Sequence, residues 1–319
     1  RNPLSCPSCN MTTQRIRAYL YICTTTLLWG VSFFWTNKLL INHVPVFFLI
    51  LTRMSLAALI LLIVGRITGK IQRIKNKKDA LWFLALALME PFFYFIGETY
   101  GVKLTASPTI SSMIIATIPV FGLVAGLSFY KEKVTAGNIA GILMTVPGML
   151  IVVSGRGGLE TGNVTDLPGT NMPLGAMFLF MAVFSAVGHT VILKRMTRSY
   201  NAFTVTFYQH ALGALYFILP VLLIDAQRIN VKHFITKADF WYPILMLSVF
   251  CSSIAFMMFT AAIKELGVTR TNTFSAVIPI VTASVGFALG IETINWIQAL
   301  GILVVVFGLV LSQLRSRRS

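Results

Sequence analysis

The chain has 319 residues, of which 56% are hydrophobic and 11% charged, and its mean hydropathy is +0.79. A soluble domain carries about 25% charged residues, so the composition excludes a soluble globular protein and indicates an integral membrane protein. The net charge of +16 would suggest nucleic acid in a soluble chain. Here the basic residues sit between apolar runs, where the excess of Lys and Arg in cytoplasmic loops accounts for them, and no nucleic-acid partner is expected.

Residues 1–10 (RNPLSCPSCN) are unlike the apolar run after Arg17 and read as an extension or disordered tail ahead of Met11. Cys6 and Cys9 form a CxxC pair with no further Cys or His nearby. A tetrahedral zinc site needs four ligands, so neither a metal nor a cofactor is expected. A bilayer span needs about 20 mostly apolar residues. On that basis ten α-helical spans are expected, near 18–41, 46–65, 80–101, 106–130, 134–153, 173–193, 202–224, 240–263, 267–290 and 294–313. Residues 1–17 then form a cytoplasmic tail, 154–172 a linker loop and 314–319 a basic tail.

The stretch Thr109–Gly148 recurs, without a gap, as Thr269–Gly308, with eleven of forty positions identical. Identities of Ile, Leu and Val are cheap in an apolar chain. Those of Pro119, Glu132, Gly126, Gly141 and Gly148 are not, and a repeat of this kind sets the fold. The preceding stretches correspond more weakly, pairing Lys38 with Lys194 and Arg53 with Gln209. The fold class expected is therefore all-α and integral to the membrane: two five-helix repeats, 18–153 and 173–313. Five spans per copy is an odd number, so the copies face opposite sides of the membrane. The charges agree. With the N terminus inside, the inner segments hold 19 Lys and Arg, the outer ones 6, and Arg53 lies within a span. Both termini are then cytoplasmic. Inverted repeats are the architecture of many secondary transporters.

Ionisable residues inside the membrane are functional candidates, because burying them is costly. Arg53 reads as a fixed positive charge facing a cavity, with a planar fork suited to carboxylate or phosphate; pairing with Glu90 or Glu98 is the structural alternative. Glu90 precedes Pro91, which frees a backbone carbonyl within the span, and a carboxyl in low dielectric can take up a proton. A coupling proton is thus a candidate partner besides the small-molecule substrate and the lipid bilayer. Glu98 lies about 80° further round the helix, placed either on the same wall or in solvent at the outer interface. His189 and His210 read as structural or pathway residues. Gln209, at Arg53's place in the second copy, faces the cavity from the other side. Asn37, Tyr94 and Trp29 complete the candidates. Pro119 and Pro279, with Gly126 and Gly286, mark where the repeats kink and pack. Glycines four apart let helix backbones approach, inside the chain or across a homodimer face.

No phosphate-binding GxxxxGK[ST] loop, serine-nucleophile elbow or HExxH motif is present, so no enzymatic activity is expected. A sensor or scaffold would need a sizeable soluble domain. The segments LLWGVSFFWTNKLL and FFLILTRMSLAALILL, followed by the two copies ETYGVKLTASPTISSMIIATIPVFGLVAGLSFYKEKVTAGNIAGILMTVPGMLIV and KELGVTRTNTFSAVIPIVTASVGFALGIETINWIQALGILVVVFGLVL, resemble the drug/metabolite transporter superfamily, EamA type. The resemblance covers residues 18 to 313. It implies ten helices, an inverted five-plus-five repeat, a central cavity and export of amino acids, metabolites or drugs. Related branches exchange nucleotide sugars or sugar phosphates, which makes an anion exchanger the alternative.

Overall fold

A computed structural model describes residues 7–154, 170–226, 238–289 and 295–313. Expectations that fall on the linker 155–169, the tail 314–319, Glu292, Gly290, Arg156 and the three basic residues of 227–237 lie outside the described residues, as does Cys6.

The described chain forms ten helical segments and no strand. They are α1 (Pro7–Ile41), α2 (Val46–Thr68), α3 (Lys77–Thr105), α4 (Pro108–Tyr130), α5 (Ala136–Ser154), α6 (Met172–Met196), α7 (Ala202–Asp225), α8 (Ala238–Leu266), α9 (Val268–Ala288) and α10 (Trp296–Gln313). Nine of them are long and apolar enough to cross a membrane, and the tenth, α5, lies along α10. α1 begins at Pro7 rather than near residue 18, because no Gly or Pro interrupts the chain between Pro7 and Gly30.

Side chains of the turns cap the helices. Asn76, Asn171 and Asn201 each accept the N–H three residues on, at 2.8, 3.1 and 2.7 Å, satisfying donors that the first helical turn leaves orphaned. Gly69, at φ 64°, closes α2 in the left-handed conformation that glycine adopts freely.

The packing repeats as the sequence does. α3 lies on α6 and α8 on α1; α4 touches α6 and α9 touches α1; α2 pairs with α7, α4 with α9 and α5 with α10. Every contact has its counterpart five helices on, the relation expected of two copies around a pseudo-two-fold axis. Local details repeat too. Thr135 and Asn138 exchange reciprocal capping bonds at the start of α5, at 2.9 and 3.2 Å. Asn295 and Gln298 do the same at the start of α10, at 2.9 Å each.

α8 contains a π-helical turn, Met246–Ile254, whereas α3 is kinked within Leu88–Phe93, where Glu90 leaves the helical conformation. α4 breaks at Ala116–Thr117 and α9 passes through a 3₁₀ turn at Phe274–Val277, so Pro119 and Pro279 each sit in the first turn of the half-helix beyond the break. There their missing N–H costs nothing.

The glycines serve these contacts. A side chain at Gly141 would come within 2.4 Å of the Ser312 nitrogen and 2.6 Å of the Gly308 oxygen, and one at Gly97 within 2.4 Å of the Phe178 oxygen. α5 with α10, and α3 with α6, approach so closely only because those positions lack a Cβ. Gly122 and Gly126 pack in the same way on Asn272 and Thr269.

Candidate functional site

Where the repeats meet, α1, α2, α3, α4, α6, α8 and α9 enclose a central cavity of about 30 Å³, room for about two water molecules. Ile115 and Ile118 of the first copy face it, as do their counterparts Ser275 and Ile278 of the second. The cavity therefore lies on the pseudo-two-fold axis. Its walls are largely apolar and aromatic: Trp29, Phe33, Tyr94, Phe95, Phe256 and Phe259. Into it come three ionisable side chains, Arg53, Glu90 and Glu98, all at most 5% exposed.

Arg53 is held from two sides. Its Nε donates to Ser252 Oγ at 2.7 Å, and its guanidinium lies 4.3 Å from the centre of the Phe95 ring. A cation over an aromatic face is attracted by the ring quadrupole. The π-helical turn of α8 delivers Ser252 and also exposes the Cys251 carbonyl, to which Trp29 Nε1 donates at 3.2 Å. No described carboxylate lies within ion-pair distance of Arg53, so the expected alternative of a structural pair with Glu90 or Glu98 is not formed. The Nη end of its fork has no protein acceptor among the described residues.

Glu90 stands at the break in α3, where its own backbone is extended (φ −143°, ψ 118°) ahead of a cis Pro91. Its Oε2 is 2.8 Å from His189 Nδ1, a close polar contact that is not an aligned hydrogen bond. His189 Nε2 meets Gln209 Oε1 at 3.2 Å. The three buried residues make a line running from the cavity wall to α7. Glu98 is 2% exposed and its Oε2 has no protein partner. The alternative of a solvated residue at the outer interface is corrected: α3 packs on α6 through Gly97 and Gly101 and carries Glu98 inside. A buried unpaired oxygen is costly unless something else occupies the space it faces.

Trp29, Arg53, Glu90, Tyr94 and Glu98 thus come together on the cavity. Gln209 does not face it, contrary to expectation. As an amide it accepts its neighbour's hydrogen bond, and it stands behind Glu90, against His189. His210 is fully buried, with Nδ1 donating to the Thr206 carbonyl at 2.8 Å and its ring edge-on to Phe256. Asn37 is half-buried toward the end of α1, away from the cavity. Among the described residues no group of three or more His, Cys, Asp or Glu gathers as metal ligands would.

Four polar side chains on the wall escaped the sequence reading: Ser32, Thr190, Asn272 and Ser275. Asn272 donates to Thr190 Oγ1 at 3.2 Å, tying α9 to α6. The signal for Asn272 and Ser275 was the polar run TRTNTFS at the start of α9, unusual for a membrane span. Glu132, one of the identities of the repeat, also has a structural partner. Its carboxylate accepts the N–H groups of Val268 and Thr269 at 2.7 and 2.9 Å, at the positive end of α9.

The sequence pattern of the EamA-like transporter family matches residues 16–154 and again 173–314, one match to each repeat. The chain belongs to the EamA-like transporter family. It is 24% identical over 258 residues to the uncharacterized transporter YyaM of Bacillus subtilis, covering 81% of each chain. It is 25% identical over 297 residues to an uncharacterized transporter of Archaeoglobus fulgidus, covering 93% of this chain and 97% of that one. A crystal structure with 18% identity superposes at a TM-score of 0.73, covering 94% of this chain and 97% of the other, and shares its fold. This EamA-like chain is thus a multi-pass membrane protein of a transporter family, with a central cavity at the junction of the two repeats.

Proposed function

We propose that the protein is a secondary active exporter of a small zwitterionic metabolite, an amino acid or a compound built like one, acting in the inner membrane with both termini cytoplasmic. The observation that carries this reading is the charge set of the cavity: one guanidinium with a free fork and two carboxylates, among aromatic walls. A fork binds a carboxylate with two parallel hydrogen bonds. Glu98, with its unpartnered Oε2, is the acceptor for an ammonium group. The aromatic wall takes the apolar remainder.

The cavity is too small for such a substrate as it stands, since ligand sites run to about 300 Å³ or more. The repeats must part to admit it, which suits rocking of one half against the other. Glu90, paired with His189, supplies the proton site: protonation of this buried pair changes its charge and so its cost of burial. Family membership and the absence of enzyme motifs both favour transport over catalysis.

The alternative, exchange of sugar phosphates or nucleotide sugars, wants several convergent cations. Among the described residues the cavity holds Arg53 alone. Lys38 pairs with Asp239 at 3.2 Å. Lys194 donates to the Ile263 and Lys264 carbonyls at 2.9 and 2.7 Å. Neither reaches the cavity.

A thermal-shift screen of the purified chain against amino acids, sugars, nucleosides and phosphorylated metabolites tests the substrate class, since a ligand that binds only the folded state stabilises it. Zwitterions are expected to raise the midpoint, and to fail to do so in Arg53→Gln. Stabilisation by phosphorylated compounds alone would overturn the reading. For the coupling, Glu90→Gln is expected to make transport in sealed vesicles insensitive to the proton gradient. Unchanged gradient dependence in that variant would remove Glu90 from the coupling step.

A further inference from the structure

A second hollow lies outside the central cavity, between α3, α4 and α6 at the end of the bundle rich in Lys and Arg. It measures about 650 Å³ and shares no lining residue with the central cavity. We propose that it binds one anionic phospholipid, the phosphate at its rim and an acyl chain along its floor.

The rim carries three cations, Lys131, Arg195 and Arg198, all exposed. No described carboxylate lies within ion-pair distance of either arginine. Glu132, next to Lys131 in the sequence, is turned away to the N–H groups of Val268 and Thr269. The arginines are held over aromatic rings: Arg195 is 4.5 Å from the ring centre of Trp82, and Arg198 5.6 Å from that of Tyr130. Stacking in this way fixes a guanidinium while leaving its edge free for phosphate. Basic pockets between membrane helices at the cytoplasmic side are suited to anionic headgroups.

Below the rim the lining turns apolar, with Ala125, Val187, Val191 and Ile192, and Phe129 on its edge is 70% exposed, as a side chain facing lipid would be. The floor of this groove is α6 from Gly188 to its end at Met196, with Arg198 in the turn beyond. From Gly188 to Met196 that stretch is helical and rises about 12 Å, most of the half-thickness of a hydrocarbon core about 30 Å thick, so the groove reaches through most of one leaflet. A soluble phosphate compound has no use for that floor; a phospholipid has. At the inner end stand Met89 and Gly188, the residues that precede Glu90 and His189. An acyl chain seated there supports the backbone of both members of the buried pair.

Native mass spectrometry of the purified full chain, with phosphatidylglycerol and phosphatidylcholine added in equal amounts, tests the site. One phosphatidylglycerol is expected to be retained with at least roughly tenfold preference, and the double variant R195Q/R198Q is expected to lose that preference. R15Q/R17Q removes the same charge from the same end of the bundle, at exposed positions, and is expected to keep it. Val191→Trp leaves the cations and fills the groove, and is expected to lose the lipid. The proposal is overturned if R195Q/R198Q or Val191→Trp retains the lipid as the wild type does, or if R15Q/R17Q loses it equally. A readout that needs no charge variant is quenching of Trp82, taken as the difference between wild type and Trp82→Phe, by lipids brominated on the acyl chain. Stronger quenching by phosphatidylglycerol than by phosphatidylcholine is expected, and equal quenching contradicts the site.

Discussion

In α5 and α10 the two copies of the repeat do the same thing; in α2 and α7 they do not. α5 and α10 start with matching capping pairs, Thr135 with Asn138 and Asn295 with Gln298, and meet through glycines that admit no side chain. α2 and α7 also pack on each other, yet α2 sends Arg53 into the cavity while α7 puts Gln209 behind it, against His189. Packing needs the same shapes on both sides of a pseudo-two-fold axis, so the copies keep them. The three charges of the cavity, Arg53, Glu90 and Glu98, all come from the first copy, and the second supplies none, so the copies differ there. Asymmetry within a symmetric frame marks the site more sharply than any single residue type.

This contrast can be broken at several points. The largest effect is expected from Arg53→Gln, which gives the first copy the residue of the second. Zwitterion transport in proteoliposomes should fall about a hundredfold, or ~2.7 kcal/mol, with the thermal midpoint lowered far less. Arg53→Lys should recover only part of the loss, since an ammonium lacks the fork. Next comes Gly141→Leu, which forces α5 from α10 and should destabilise the fold by about 2 to 3 kcal/mol, measured by thermal unfolding in detergent.

Gln209→Leu should cost about 1 to 2 kcal/mol by leaving His189 Nε2 unpaired; it should also shift the imidazole resonances of His189 in NMR spectra, which a purely steric change in α7 would not. The smallest effects are expected at the caps. Asn138→Ala and Gln298→Ala should each cost about 1 kcal/mol, with Asn138→Ala the larger because its Nδ2 also donates to the Ser312 carbonyl at 2.8 Å. Equal losses at the two caps would mean that this added bond contributes nothing.

Much of the fold was legible in the sequence, because hydrophobic run length and an ungapped repeat are both local patterns. Helix number, the correspondence of the copies and the doubled proline breaks come from them. The site was legible in part. Arg53, Glu90 and Glu98 stand out because a charge inside a membrane span is rare and costly. The direction in which Gln209 points was not legible, since its offset from Arg53 says which position is equivalent, not which neighbour it meets. Ser252 was hidden because the π-helical turn of α8 shifts the register of that face, and periodicity counts assume a regular helix. Asn272 and Thr190 are ordinary polar residues until two helices of different copies bring them together. The groove at Arg195 and Arg198 was read only as loop charge, since its other wall comes from α3 and α4.

Arg53 and Glu98 are central to the proposed transport: together they would hold the two ends of a zwitterion at the junction of the repeats. Counterflow in proteoliposomes tests this most directly. Vesicles preloaded with an unlabelled amino acid mixture, or with glucose 6-phosphate and inorganic phosphate, are diluted into the matching labelled compound. The expected result is accumulation of labelled amino acid by the wild-type chain, its loss in Arg53→Gln, and no accumulation of the phosphate compounds. Strict one-for-one exchange of phosphate compounds, or amino acid counterflow that Arg53→Gln leaves unchanged, would contradict it.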